Sequence, residues 1–236
     1  MYRVAIIQIP HALQYIKNQT EEICKLALER NGNCLQYVKK QNDLLAKIAV
    51  TVSPHALQYV KDQTEEICLI AVRKAGSTLQ YVKKQTPDIC LEAVKQSGMA
   101  LRFIKQQTPE MCREAVKENG LALQYVKEQT NDLYMTAVIN NPLGIKYVKN
   151  QTIDISLLAV KRNGMALEFI KDQTELVCQT ALKQNPDSLQ YIRRKTTEYK
   201  AEAIKLILMN WREDENYLMR ITDKKLKRAV LKLINN

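Results

Sequence analysis

Glycine and proline are scarce in this chain of 236 residues, six of each, and histidine and tryptophan scarcer still, at two and one. So few turn formers leave little room for irregular loops. His11 and His55 stand far apart in the sequence, and no C-x-x-C or H-x-x-x-H pair occurs. That excludes a zinc site of the usual spacing and leaves a nucleophile without its base. No G-x-x-x-x-G-K-[ST] loop is present to cradle phosphates. No apolar run approaches the length of a membrane span. The apolar stretch in Met1–Pro10 is too short for a signal peptide and lacks its order of charged, apolar and small residues. These absences predict a protein that is not an enzyme, holds no metal or cofactor, enters no membrane and is not secreted.

What the chain does have is a strict period. A small polar residue, nearly always Thr, returns every 22 residues at Thr20, Asn42, Thr64, Thr86, Thr108, Thr130, Thr152, Thr174 and Thr196. In the unit Thr86–Gln107 apolar residues fall at Ile89, Cys90, Ala93 and Val94, one stripe of an α-helix, and again at Ala100, Leu101, Phe103 and Ile104. A leucine-rich repeat has a similar period, but the unit lacks its alternating L-x-L strand and matching Asn. Thr86 suits an N-cap, Pro87 and Pro109 suit the first helical position, and Glu22, Glu66, Asp88, Glu110, Asp132 and Asp154 stand at the positive helix end. Between the two apolar stretches one column holds only Gly or Pro: Pro10, Gly32, Pro54, Gly76, Gly98, Gly120, Pro142, Gly164 and Pro186. Gly there is expected to take the left-handed conformation that ends a helix. Pro is expected to open the next helix, capped by Ser53, Asn141 or Asn185.

Each unit therefore reads as two antiparallel helices of about nine residues, too short to persist alone. The fold class is all-α: an α-solenoid of 22-residue two-helix repeats. Stacked at ~8–10 Å per layer, the units predict a single elongated curved rod on the order of 80–100 Å long. Residues 1–19 form a truncated N-terminal repeat, since Met1 aligns with Ile23. Residues 20–195 hold eight 22-residue helix-turn-helix repeats. Residues 196–236 are irregular: Tyr217 and Thr222 arrive four residues late, giving a 26-residue unit, and Ala229 and Val230 mark a capping helix. Four extra residues are about one helical turn, which predicts a longer helix around Glu198–Asn210 with Trp211 just beyond it.

The repeating pattern A-L-Q-Y-V-K-x-Q-T-x-E-I-C-x-x-A-V-K-x-N-G, cleanest at Leu121–Thr130 and Ile89–Gln96, resembles a family of short tandem repeats common in mimivirus-like giant DNA viruses, a domain of unknown function. The resemblance spans about residues 9–195. It implies a viral, intracellular repeat protein, in host cytoplasm or a viral factory, and supplies no catalytic or binding residues.

Cys24, Cys68, Cys90, Cys112 and Cys178 share one column, and Cys34 belongs to another. Equivalent residues of adjacent units are expected ~10 Å apart, beyond the ~7 Å reach of a disulfide. All six read as small buried residues, reduced as in an intracellular protein.

Four further columns bear on function. Tyr15, Tyr37, Tyr59, Tyr81, Phe103, Tyr125, Tyr147, Phe169 and Tyr191 form an aromatic ladder, read as filling the core between repeats with hydroxyls at the edge. Gln19, Gln41, Gln63, Gln85, Gln107, Gln129, Gln151 and Gln173, ended by Lys195, read as partners for free backbone groups in the inter-unit turn. Lys17, Lys39, Lys61, Lys83, Lys105, Lys127, Lys149, Lys171 and Arg193 put one cation in every unit of a chain whose net charge is +11. That ladder admits two readings, helix capping with cross-unit ion pairing, or contacts to a phosphate backbone at a ~10 Å pitch.

The fourth column varies: Lys25, Lys47, Leu69, Leu91, Arg113, Met135, Leu157 and Gln179, with Ile70 and Leu158 beside it. Leu69, Ile70, Leu91, Met135, Leu157 and Leu158 are over-apolar for a solvated ridge and mark candidate contacts to a protein partner. The sequence thus favours a repeat scaffold for protein–protein interaction along one face. The alternative is RNA or single-stranded DNA bound through the lysine ladder.

Overall fold

The computed structural model describes residues 2–194, 197–213 and 224–234. They are mostly helical, with no strand among the described residues. The chain divides into two compact units, Met1–Lys127 and Glu128–Asn236. The first holds α1 Tyr2–Gln8, α2 Glu21–Arg30, α3 Asp43–Val52, α4 Glu65–Lys74, α5 Pro87–Gln96 and α6 Pro109–Glu118. The second holds α7 Asn131–Asn140, α8 Ile153–Arg162, α9 Glu175–Gln184, α10 Thr197–Glu213 and a C-terminal helix, Lys224–Ile234.

The first half of each repeat folds as its spacing dictates. In α5 the hydroxyl of Thr86 accepts the amide of Ile89 at 3.4 Å, Pro87 fills the first turn, and Asp88 sits at the positive end of the helix. Ile89, Cys90, Ala93 and Val94 are all buried. The same cap recurs at Thr20, Thr64, Thr108, Thr152 and Thr174, and through a shorter bond at Asn42, whose Oδ1 accepts from Leu45 at 2.9 Å.

The second half departs from expectation. It is a 3₁₀ helix of six residues, Gly98–Phe103 in the Thr86 repeat, bounded by extended Ser97 and Ile104. With about three residues per turn, a 3₁₀ helix stacks side chains at i and i+3. Gly98, Leu101 and Ile104 are buried at that spacing, so one short face carries the packing. Two α-helices of about nine residues are therefore replaced by one α-helix of ten residues and one tighter turn.

The Gly/Pro column is a second departure. No described residue has positive φ, so glycine is not there for the left-handed conformation. It is there for space. A Cβ built on Gly164 would lie 2.6 Å from the carbonyl oxygen of Ala181 in the next repeat, and at Gly32, Gly76 and Gly98 it would come closer still to Ala49, Ala93 and Ala115.

Within each compact unit the α-helices pack side by side in one layer and the 3₁₀ helices in another. Between them lie fully buried pairs such as Ala71–Val72 and Ala93–Val94, together with Leu57, Leu79 and Leu101 from the 3₁₀ layer. Each such leucine contributes about 1.5–3 kcal/mol of burial. Helices α2 to α6 in the first unit and α8 to α10 in the second also rest on the 3₁₀ helix before them, as α5 does on Gly76–Tyr81.

At the C-terminal end α10 runs for 17 residues, the longer helix the 26-residue spacing predicts. Lys195, Thr196, Tyr217 and Thr222, like the side chain of Trp211, lie outside the described residues. Helix Lys224–Ile234 packs on α10 and encloses Val230. No described helix is long and apolar enough to cross a membrane.

Candidate functional site

The amide column fastens each repeat to the next. Nε2 of Gln63 donates to the carbonyl oxygens of Leu57, in its own repeat, and Tyr81, in the next, while its Oε1 accepts from the backbone amide of Lys83. Gln19, Gln41, Gln151 and Gln173 make the same three bonds. Gln85 and Gln107 bond to the next repeat in the same way. A carboxamide offers both donor and acceptor, which this turn requires and no charged side chain supplies.

The cationic ladder closes the same seam. Nζ of Lys39 donates to the carbonyls of Lys17 and Ile16, Lys83 to those of Lys61 and Val60, Lys61 to Lys39, Lys127 to Lys105 and Lys171 to Lys149. Arg193 reaches both Lys171 and Ile170. These carbonyls end the preceding 3₁₀ helix, where the backbone has no partner of its own and positive charge is favoured. All nine residues of the column, Lys17 to Arg193, are exposed. The capping reading thus has direct contacts behind it. The ion pairs fall elsewhere, on the α layer: Lys47 lies 2.7 Å from both Asp43 and Glu66, and Arg73 Nε 2.7 Å from Glu92. Hydrogen bonds to Asp43 and Glu66 raise the pKa of Lys47, and that from Arg73 lowers the pKa of Glu92.

The aromatic ladder does not fill the core. Tyr15 is 80% exposed and the other eight rings are half-buried along the 3₁₀ layer. They make edge and face contacts there. His11 meets Tyr37 and His55 meets Tyr81 edge-on, the guanidinium of Arg102 lies 4.5 Å from the Phe103 ring centre, and Lys146 sits over Tyr147 at 4.6 Å. The core was assigned to these rings because their columns neighbour buried ones. With 3₁₀ geometry, Leu101 and Ile104 take the inner face and Phe103 turns to the rim.

All six cysteines are buried and none is joined in a disulfide. Burial pushes the thiols of Cys24, Cys34, Cys68, Cys90 and Cys178 above their ordinary range, so none of these is primed as a thiolate. No group of three His, Cys, Asp or Glu among the described residues is placed to hold a metal ion.

The variable column lies on the α layer, clear of the seam. In the first unit Leu69 and Ile70 on α4 and Leu91 on α5 are half-buried, at equivalent places on packed neighbours. The Lys47–Glu66 and Arg73–Glu92 pairs link α3 to α4 and α4 to α5 beside them. In the second unit Met135 is 38% exposed, and Leu157 and Leu158 are half-buried. Exposed Ile139 and Ile153 belong to the same two helices.

One set of contacts was not anticipated. The amides of Gly76, Gly98 and Gly164 donate to Gln96, Glu118 and Gln184 of the following repeat. The signal is a pairing twenty residues apart. Glycine, which keeps its N–H, faces an acceptor at these places, whereas Pro10, Pro54 and Pro142, which have none, are followed at the same interval by Arg30, Lys74 and Arg162.

Neither the curated proteins nor the solved structures contain a match to this chain. A family model does match: Domain of unknown function (DUF4116), at residues 64–108 and again at 86–130. Each match spans two of the 22-residue units, and the two overlap by one, in phase with Thr64, Thr86, Thr108 and Thr130. Residues 64–130 are thus similar, in tandem, to a helical repeat of unknown function.

Proposed function

We propose that this chain is a non-enzymatic repeat scaffold that binds another protein along its α layer. The observation that carries the reading is a division of labour between columns. The near-invariant Gln and Lys side chains are spent on joining repeats, whereas the column that changes from repeat to repeat lies partly exposed on the α layer. A fixed frame with a varied row is what a recognition surface needs, because affinity comes from a few anchors held rigidly. Leu69, Ile70 and Leu91 are the anchors in the first unit, with the flanking ion pairs as a polar rim. Met135, Leu157 and Leu158 form a corresponding set in the second. The division into residues 1–19, regular repeats at 20–195 and an irregular segment at 196–236 belongs to this reading. The giant-virus resemblance is the reason to seek the natural partner in an infected host cell.

A peptide-display library selected on the full chain tests it. Enriched peptides should lose at least tenfold in affinity for a Leu69→Asp, Leu91→Asp variant of unchanged helix content, roughly the 1.4 kcal/mol of one weak anchor. Their affinity should change little between low and moderate salt. No enrichment, or equal binding to the variant, counts against the proposal.

The lysine ladder as a phosphate-binding row is the weaker reading, because Lys39, Lys83, Lys127 and Lys171 hold backbone carbonyls instead.

A further inference from the structure

We infer that the C-terminal helix Lys224–Ile234 is a docking site for the phosphate backbone of a nucleic acid, separate from the ladder and from the α-layer face. Its sequence, KKLKRAVLKLI, holds five basic residues and no acidic one. Lys224, Arg228 and Lys232 are exposed and follow one another at i, i+4 and i+8. At 1.5 Å and about 100° per residue, that is a slowly winding row of cations roughly 6 Å apart along the axis. Lys227 adds a fourth charge, half-buried at its base.

A basic amphipathic helix suits two kinds of polyanion, an anionic membrane or a nucleic acid. A membrane-surface helix needs its apolar side free to sink into the acyl boundary. Here part of that side is taken up: the helix packs on α10, Val230 is fully enclosed and Ala229 half-buried, while Leu231 is 38% exposed. Among its described side chains, Lys224, Lys225, Arg228 and Lys232 are exposed beside Leu231, so charge outnumbers apolar surface there. Its chemistry also differs from that of the ladder, whose cations lie against the carbonyl ends of 3₁₀ helices. The row Lys224, Arg228 and Lys232 stands on the side of its helix, where phosphates can approach. No base-reading group accompanies it, so binding is to the backbone, without sequence preference.

The test uses the full chain and fluorescein-labelled single-stranded and duplex DNA, titrated by anisotropy at about 50 and about 200 mM salt. The variants are Lys224→Gln, Arg228→Gln, Lys232→Gln in combination and, as a control, Lys39→Gln, Lys61→Gln, Lys83→Gln. Circular dichroism checks helix content. Three phosphate contacts contribute about 2.7 to the salt slope, so wild type should lose affinity on the order of 40-fold more over that range than the C-terminal variant. The ladder control should keep the wild-type slope. Parallel sedimentation with vesicles containing phosphatidylserine should leave the protein in the supernatant. The inference is overturned by no DNA binding at the lower salt, by equal salt slopes for wild type and the C-terminal variant, or by vesicle binding in place of DNA binding.

Discussion

The ammonium of Lys83 lies 2.6 Å from the carbonyl oxygen of Lys61, one repeat earlier in the same ladder. The two residues are equivalent by sequence, yet one donates from its side chain and the other accepts through its backbone. Lys39, Lys61 and Lys83 pass this bond along the first unit, each to the carbonyl of the cation one repeat earlier. The ladder is a seam. Removing the charge while keeping the aliphatic stem, as in Lys83→Met, should lower unfolding stability by about 1 kcal/mol, an exposed charged hydrogen bond being worth less than a buried one. A urea titration measures this, and an unchanged midpoint would remove the seam's energetic role.

Gln63 should matter more, since its amide serves three backbone groups at once. Gln63→Glu keeps the acceptor for Lys83 but turns a carboxylate toward the carbonyls of Leu57 and Tyr81. A loss of about 1–3 kcal/mol is expected near neutral pH. The deficit should shrink as the introduced carboxyl is protonated, because the neutral acid can donate again. Urea midpoints of the variant and wild type at neutral and acid pH show whether it does.

Gly164→Ala places a methyl group against the carbonyl of Ala181 and should cost about 1–3 kcal/mol by overpacking. Gln184→Leu leaves the Gly164 amide without its acceptor and should cost a similar amount. Thermal melts of the two variants check both, and a melt like wild type for Gly164→Ala would show that the neighbouring repeat yields.

How much of this was legible in the sequence depends on the residue. Thr86, Pro87 and Asp88 state a helix start by their own chemistry, and the stripe from Ile89 to Val94 fixes its buried face. The second helix was misread because Ala100, Leu101, Phe103 and Ile104 fit an α stripe as well as a 3₁₀ one over so short a run. The i→i+3 backbone hydrogen bonds, such as Ala100 to the carbonyl of Ser97 and Ile104 to that of Leu101, decide between them. Gly98 itself was assigned to the wrong cause: its role lies in a close approach by Ala115 of the next repeat, and no local pattern reports that. The glutamine column was read as turn chemistry, which is right, but its reach to the repeat ahead needs the stacking geometry. Leu69 and Leu91 could be named from the sequence as odd residues in a polar neighbourhood. Their partial burial comes from the packing of α4 on α5.

The Arg73–Glu92 pair predicts a direction with pH. The hydrogen bond from Arg73 holds the Glu92 carboxyl below its ordinary range, so the unfolded chain takes up the proton first. The pair's contribution is therefore present above about pH 4.3 and is lost as pH falls through the lower, folded value. Glu92→Gln should flatten this part of the acid limb. Chemical denaturation of both proteins at a series of acid pH values reads the difference, and parallel curves would mean that the pair contributes nothing.

The account rests most on the separation between a seam that joins repeats and a row that recognises a partner. The direct test is an alanine scan of both rows against one peptide selected on the wild-type chain, with affinity and stability measured on every variant. Leu69, Ile70 and Leu91 should weaken binding, at least one of them tenfold or more, with modest changes in stability. Lys39, Lys61 and Lys83 should do the reverse, lowering stability and leaving affinity within about twofold. Binding losses spread evenly over the lysines, with the α row tolerant, would contradict the account and return the ladder to the ligand.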